Sequence, residues 1–124
     1  MKITQVQSYN TSFTSRRTFR RKFNKCAYSG QCFKTNQKKT IEHIIPVSLG
    51  GKNEYSNYLI VSKDWNEKRS SLPLNEFIEK YPIVKNSIIS AVNAHEGEII
   101  EGIDWAEEVK DTLYKAIGYD IFDE

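Results

Sequence analysis

The stretch from residue 40 to residue 69 constrains the fold of this chain more than any other. Residues 40–45 are rich in β-branched side chains, which is typical of a short strand, and Pro46 would end that strand. After a glycine-containing loop, residues 58–61 predict a returning strand. Residues 64–69 then predict a short helix. The pattern indicates one compact strand–loop–strand–helix unit.

The same stretch carries side chains that suit the cleavage of a phosphodiester bond. An activated water and stabilisation of the leaving oxygen are the two needs of that reaction, and a divalent metal supplies much of both. Mg²⁺ prefers oxygen ligands and keeps several waters, so one or two protein ligands suffice. The residues that could provide the carboxylate, imidazole, carboxamides and cations are Glu42, His43, Asn57, Asn66, Lys68 and Arg69.

The neighbours Glu42 and His43 raise a geometric question. Adjacent residues of a regular strand point to opposite faces of the sheet. Both side chains can serve one site only if the strand ends or twists where they lie. The nearby Pro46 is consistent with an early strand end.

The order of these residues resembles that of the HNH endonucleases, the ββα-metal nucleases. An acid–His pair is followed by I-P-x-S, Gly-Gly, Asn, and then Asn with a basic residue, and the opening CAYSG is similar to HNH domains of CRISPR nucleases and of small phage and bacterial proteins. The resemblance covers residues 26–78. It implies an α+β fold, with a ββα-metal core and additional flanking helices.

The resemblance also implies roles for individual residues. His43 matches the general base, and Glu42 and Asn66 match the ligands of a catalytic Mg²⁺ or Mn²⁺. Asn57 matches the residue that braces the loop and orients the histidine. Either Arg69 or Lys68 matches the basic residue of the helix, expected to steady phosphate charge. Metal-dependent endonucleolytic cleavage, most directly of DNA, is the activity that the family implies.

Two departures from the family pattern stand out. Glu42 occupies a position where the usual acid is Asp. Many relatives also bind a structural Zn²⁺ through two Cys-x₂-Cys pairs. Here Cys26 matches a first cysteine, but Ser29 stands where its partner would be, and Ser62 and Trp65 stand at the second pair. Because a closed zinc site needs four ligands, we expect no structural zinc.

Charge is distributed very unevenly along the chain. Residues 1–40 hold ten Lys or Arg and no acid, residues 41–86 hold six acids and six bases, and residues 87–124 hold ten acids and two bases. The basic end predicts contact with a polyanion, DNA or RNA. The candidate phosphate-binding residues are Arg16, Arg17, Arg20, Arg21 and Lys22, together with Lys68. The acidic end could be a solvated face, dock on the basic part, or bind a partner protein.

At 124 residues the chain predicts a single domain. We expect a basic arm and helix at 1–25, the HNH core at 26–78 and an acidic helical region at 79–124. Residues 1–14 predict a flexible arm or an edge strand. Further helices are predicted at 16–23, 73–80, 83–95 and 104–117.

Two further expectations concern location and alternative functions. The first residues lack the apolar stretch of a signal peptide and two cysteines suit a reducing compartment, which together predict a cytoplasmic protein without membrane contact. A non-catalytic nucleic-acid-binding or inhibitor protein on the same fold is the main alternative to a nuclease. A toxin-like nuclease with a neutralising partner is a third reading.

Overall fold

A β-hairpin followed by a helix lies at the centre of the protein, in a computed structural model that describes residues 16–123. Strand β1 is Lys39–His43 and strand β2 is Tyr58–Ser62, and the two pair antiparallel with His43 opposite Tyr58. Helix α2, Lys63–Arg69, follows directly, and the Ser62 hydroxyl accepts a hydrogen bond from Trp65 N. The predicted strand–loop–strand–helix unit is therefore present.

The remaining helices pack around this unit. Residues 16–21 are helical (α1), and they are followed after the hairpin and α2 by α3 (Leu74–Lys80), α4 (Ile83–Asn93) and α5 (Trp105–Ile117). The expected α+β class, with flanking helices, is confirmed. The Asp104 side chain caps α5, and Gly118 ends that helix in a left-handed conformation.

Some elements differ from the sequence-based expectation. Strand β1 ends at His43, two residues earlier than predicted, and α4 ends at Asn93 rather than at residue 95. A small hairpin was not predicted: β3, Ile99–Ile100, pairs with β4, Ile103–Asp104. Strands of two residues are too short to leave a periodic pattern in the sequence. The predicted arm or edge strand at residues 1–14 lies outside the described residues.

One hydrophobic cluster joins α1, the hairpin and the C-terminal helices. Phe19 and Phe23 of the N-terminal segment are buried, and the Phe23 ring lies 4.9 Å from that of Trp105. The Trp105 indole also donates a hydrogen bond to Tyr55 O at 3.1 Å. The basic and acidic ends of the chain therefore meet through aromatic packing on the hairpin. Among the described helices, none is long and apolar enough to cross a membrane.

Candidate active site

The loop that leaves β1 is closed by the side chain of Asn57. This buried carboxamide accepts a hydrogen bond from Ile45 N at 2.9 Å and donates to Ile45 O at 3.0 Å and to Lys52 O at 2.9 Å. Gly51 lies so close that a Cβ there would be 1.7 Å from Ile45 O. The Gly-Gly pair and Asn57 of the sequence pattern thus fix the two ends of the loop against each other.

His43 is the last residue of β1 and stands beside this loop. Its Nε2 lies 2.7 Å from Oδ1 of Asn53, and its ring meets the ring of Tyr58 edge-to-face at 5.2 Å. The imidazole is half-buried, whereas Asn53 is exposed. The side chain of Asn57 hydrogen-bonds to main-chain atoms of the loop, whereas the side chain that hydrogen-bonds to the His43 ring is that of Asn53.

Glu42 points into the opposite side of the hairpin, as strand alternation requires. It is only 7% exposed; its Oε2 accepts a hydrogen bond from the Tyr28 hydroxyl at 3.0 Å and lies 3.6 Å from Nη1 of Arg69. Burial raises the pKa of Glu42 to about 7, although the neighbouring Arg69 charge opposes the rise. Glu42 and His43 therefore occupy different surroundings, despite being adjacent in sequence.

Arg69 is fully buried at the end of α2. Its guanidinium donates hydrogen bonds to Leu72 O at 2.9 Å, to the Tyr28 hydroxyl at 3.0 Å, to His43 O at 2.7 Å and to Ile44 O at 2.8 Å. This placement departs from the expected phosphate contact, because the group has no exposed surface and its donors are used inside the protein.

Asn66 faces β1 one helical turn before Arg69. Its Nδ2 donates to the Thr40 hydroxyl at 3.0 Å, and that hydroxyl donates to Val61 O at 3.0 Å. Because a hydroxyl carries one proton, Thr40 can only accept from the amide nitrogen. The contact therefore fixes the orientation of the carboxamide and leaves Oδ1 of Asn66 as its acceptor atom.

Thr40 and Glu42 are two apart on β1, and Asn66 and Arg69 are three apart on α2, so each pair shares a face of its element.

In a comparison with known families, the model of the HNH endonuclease family matches residues 26–74. The segment 26–74, which is less than half of the chain, is thus similar to the HNH endonucleases. No curated protein and no solved structure matches the chain. The HNH match indicates a nuclease-type function and a nucleic-acid substrate.

HNH nucleases generally use divalent metal ions. Within residues 16–123, no group of three or more His, Cys, Asp or Glu side chains is placed to hold a metal. A hydrated ion such as Mg²⁺ needs fewer protein ligands. Oδ1 of Asn66 suits such an ion, and Glu42 could add only its second oxygen, since Oε2 is engaged by Tyr28 and Arg69.

The two cysteines of the HNH core lie in different environments. Cys26 is buried, and its Sγ accepts a hydrogen bond from Ser62 N at 3.4 Å, whereas Cys32 is exposed. Cys26 and Ser62, two of the positions that the resemblance compares with zinc ligands, are thus in contact.

The predicted phosphate-binding residues lie mainly on the surface. Four of them are exposed and one, Arg20, is half-buried; the exposed ones are Arg16, Arg17, Arg21 and Lys22. Lys68 is exposed on α2, with its Nζ 4.3 Å above the ring of Trp65. The Lys39 ammonium donates to Phe23 O at 2.7 Å just after α1, which ties the basic helix to β1.

Three residues that contact the site were not predicted from the sequence. These residues are Asn53, which holds His43; Tyr28, which bridges Glu42 and Arg69; and Thr40, which orients Asn66. Thr40 could have been found, because strand alternation places it on the same face as Glu42. Asn53 and Tyr28 carry no comparable signal, since their contacts depend on the path of loops.

Proposed function

We propose that this protein is a metal-dependent endonuclease that hydrolyses phosphodiester bonds in DNA, with His43 as the general base. The observation that carries the proposal is the position of His43, which is half-buried at the end of β1 and held at Nε2 by Asn53. The match of residues 26–74 to the HNH endonucleases supports the reaction class.

The Asn53 contact favours one protonation form of the imidazole. When Oδ1 of Asn53 accepts the hydrogen bond, Nε2 of His43 carries the proton and Nδ1 keeps its lone pair. A neutral imidazole of this form can take a proton from the attacking water at Nδ1. Asn57 supports the arrangement indirectly, since it closes the loop that carries Asn53.

When bound, a Mg²⁺ or Mn²⁺ ion would stabilise negative charge on the leaving oxygen. We propose that Asn66, through Oδ1, and Glu42, through its second oxygen, hold this ion together with waters. Thr40 would keep the Asn66 oxygen directed away from β1, because it already binds the amide nitrogen.

Substrate binding is assigned to the cations of α1 and to Lys68. The set comprises the α1 residues Arg16, Arg17, Arg20 and Arg21, together with Lys22, which directly follows that helix. Binding through phosphates should weaken steeply with salt, and each contact removed should lower the slope of log K against log salt by about 0.9 for duplex DNA. Changing Arg17 and Arg21 to Gln should therefore reduce the slope by roughly 2. An unchanged slope would remove these residues from the interface.

The decisive experiment is plasmid nicking by purified protein in Mg²⁺, Mn²⁺ or EDTA, with His43→Ala in parallel. We expect cutting that requires the metal and that falls by about 10²- to 10⁴-fold in the variant, the usual contribution of a general base. Equal cutting by both proteins would exclude His43 as the base. A single-stranded DNA and an RNA of the same sequence would define the substrate class.

One observation favours a second candidate, a nucleic-acid-binding or inhibitor protein without catalysis. Glu42 is buried and engaged with Tyr28 and Arg69, rather than presented to solvent as a ligand. Salt-sensitive DNA binding by a wild type that never cuts, with any of the metals, would support this candidate and reject the nuclease.

A further inference from the structure

We infer that Arg69 is a positioning residue for His43: its buried guanidinium holds the main chain at which the general base is attached. The inference rests on the proposed role of His43 and deepens it. Arg69 has no exposed surface, so it cannot act by contacting the substrate. Its contribution must pass through the groups it binds.

Two of these groups are consecutive peptide carbonyls at the end of β1. Nη1 of Arg69 donates to His43 O at 2.7 Å, and Nη2 donates to Ile44 O at 2.8 Å. The guanidinium therefore binds one carbonyl on each side of the position where β1 ends and the loop begins. Two bonds in a fixed plane restrict the backbone of His43 more than one bond could, and with it the direction in which the imidazole leaves the strand.

The surroundings of Arg69 make this arrangement stable. A buried guanidinium is tolerated only when its donors are satisfied and its charge is balanced. Nε donates to Leu72 O, and Nη1 also reaches the Tyr28 hydroxyl, which in turn donates to Glu42. The carboxylate of Glu42 lies 3.6 Å away. The end of α2, the loop at Tyr28 and the end of β1 are thereby joined at one side chain.

The geometry separates Arg69 from its neighbour Lys68, although both match the basic position of the HNH pattern. Lys68 is exposed, lies over the ring of Trp65 and is free to approach a phosphate. Arg69 points the other way, into the core. Loss of Lys68 should therefore weaken substrate binding, whereas loss of Arg69 should slow the chemical step.

Steady-state cleavage by Arg69→Lys and Lys68→Met tests this separation. Lysine keeps the positive charge but cannot bind both carbonyls with a planar fork. We expect kcat of Arg69→Lys to fall on the order of a hundredfold, the cost of a small misplacement of a reacting group, with little change in KM. Lys68→Met should show the reverse, a raised KM and a shallower salt dependence.

Two control variants distinguish a specific loss of kcat from the effect of a general loss of stability. Lys63→Arg exchanges one cation for another on the same helix, at an exposed ion pair with Glu67, and should leave cleavage unchanged. Ile88→Ala removes buried side-chain atoms of α4 and lowers stability away from the site. At a temperature where all variants are folded, only Arg69→Lys should lose kcat.

A spectroscopic measurement tests the inference without relying on activity. The chain has two histidines, His43 and His95, so imidazole NMR signals can be assigned with His43→Ala. We expect Arg69→Lys to shift the signals of His43 but not those of His95. In the wild type, the guanidinium protons of Arg69 should exchange with water slowly, unlike those of the exposed Arg16 and Arg17; this readout holds even if no Arg69 variant folds.

The outcomes separate this inference from the proposed function. Unshifted His43 signals with undiminished kcat would overturn the positioning role, as would rapid exchange of the Arg69 protons or a loss that appears wholly in DNA affinity. A wild type that does not cut would defeat the nuclease proposal alone. Shifted His43 signals would then still establish that Arg69 sets the position of the imidazole.

Discussion

The two sides of the central hairpin are held by different kinds of interaction. On the loop side, the neutral carboxamides of Asn57 and Asn53 fix the loop and the His43 ring. On the helix side, the charged Arg69 binds two carbonyls and lies beside Glu42. Neutral hydrogen bonds do not depend on protonation near neutral pH, whereas a buried carboxylate does. The difference predicts that the two sides respond differently to mutation and to pH.

The strongest test of the loop side is Asn57→Ala. The variant loses three hydrogen bonds at a buried site and leaves main-chain groups of Ile45 unsatisfied. We expect the free energy of unfolding to fall by about 3 kcal/mol, at roughly 1 kcal/mol for each bond. Urea unfolding measures this, and Asn57→Asp, which sets a buried carboxylate oxygen against the carbonyls of Ile45 and Lys52, should lose at least as much stability. A loss below about 1 kcal/mol would mean that the loop does not depend on Asn57.

Gly51→Ala should give the next largest effect. A Cβ at this position would meet Ile45 O at 1.7 Å, so the loop must move. We expect a loss of about 2 kcal/mol or more in the free energy of unfolding. Gly50→Ala is the matched control: it has a positive φ of 95° but open space, and should cost only about 1 kcal/mol. Equal losses would mean that the close approach of Gly51 to Ile45 O costs no more than the positive φ of Gly50.

Asn53→Ala separates the ring contact from the stability of the loop. Asn53 is exposed, so the free energy of unfolding should change by less than about 0.5 kcal/mol. Cleavage should nevertheless fall roughly tenfold, because the imidazole loses the partner of Nε2. Asn53→Asp keeps an acceptor oxygen and should recover most of the rate. Full activity of the alanine variant would show that the ring is held by Tyr58 alone.

The last prediction is a pH dependence specific to the helix side. The folded protein holds the Glu42 proton more tightly than the unfolded chain, because the pKa is raised from 4.5 to about 7. The contribution of Glu42 to the free energy of unfolding should therefore decrease as pH rises across this interval. Glu42→Gln should flatten the dependence, whereas Glu67→Gln, at an exposed pair, should not. The loss caused by Asn57→Ala should stay constant over the same interval.

Most of the fold could be predicted from the sequence, because the patterns that indicate its helices and strands are local. Ser62 and Asp104 cap their helices, and the two predicted strands form the paired strands of the hairpin. The small hairpin at residues 99–104 was not predicted. Its turn depends on Glu101 and Gly102 with positive φ, and such a turn is recognised only when longer strands flank it.

The sequence indicated which residues could form the candidate site, but not the directions in which their side chains point. The HNH order proposed His43 and Asn66 as candidate site residues, but it could not show that Arg69 is fully buried, since arginine side chains are seldom buried without partners. The partners that make this burial tolerable, Tyr28 and the carbonyls of His43 and Ile44, come together only in three dimensions. Side-chain direction at the end of a strand likewise depends on where pairing stops.

The contact between Trp105 and Tyr55 bears on how the HNH segment could be used outside this protein. The indole donates to the carbonyl of Tyr55, the first residue of the 3₁₀ turn Tyr55–Asn57, and so supports from outside the segment the turn that carries Asn57. A graft of residues 26–74 into another protein would lose that support. A segment that could be transplanted intact therefore extends as far as α5, and an engineered transplant would need to bring that helix or an equivalent indole with it.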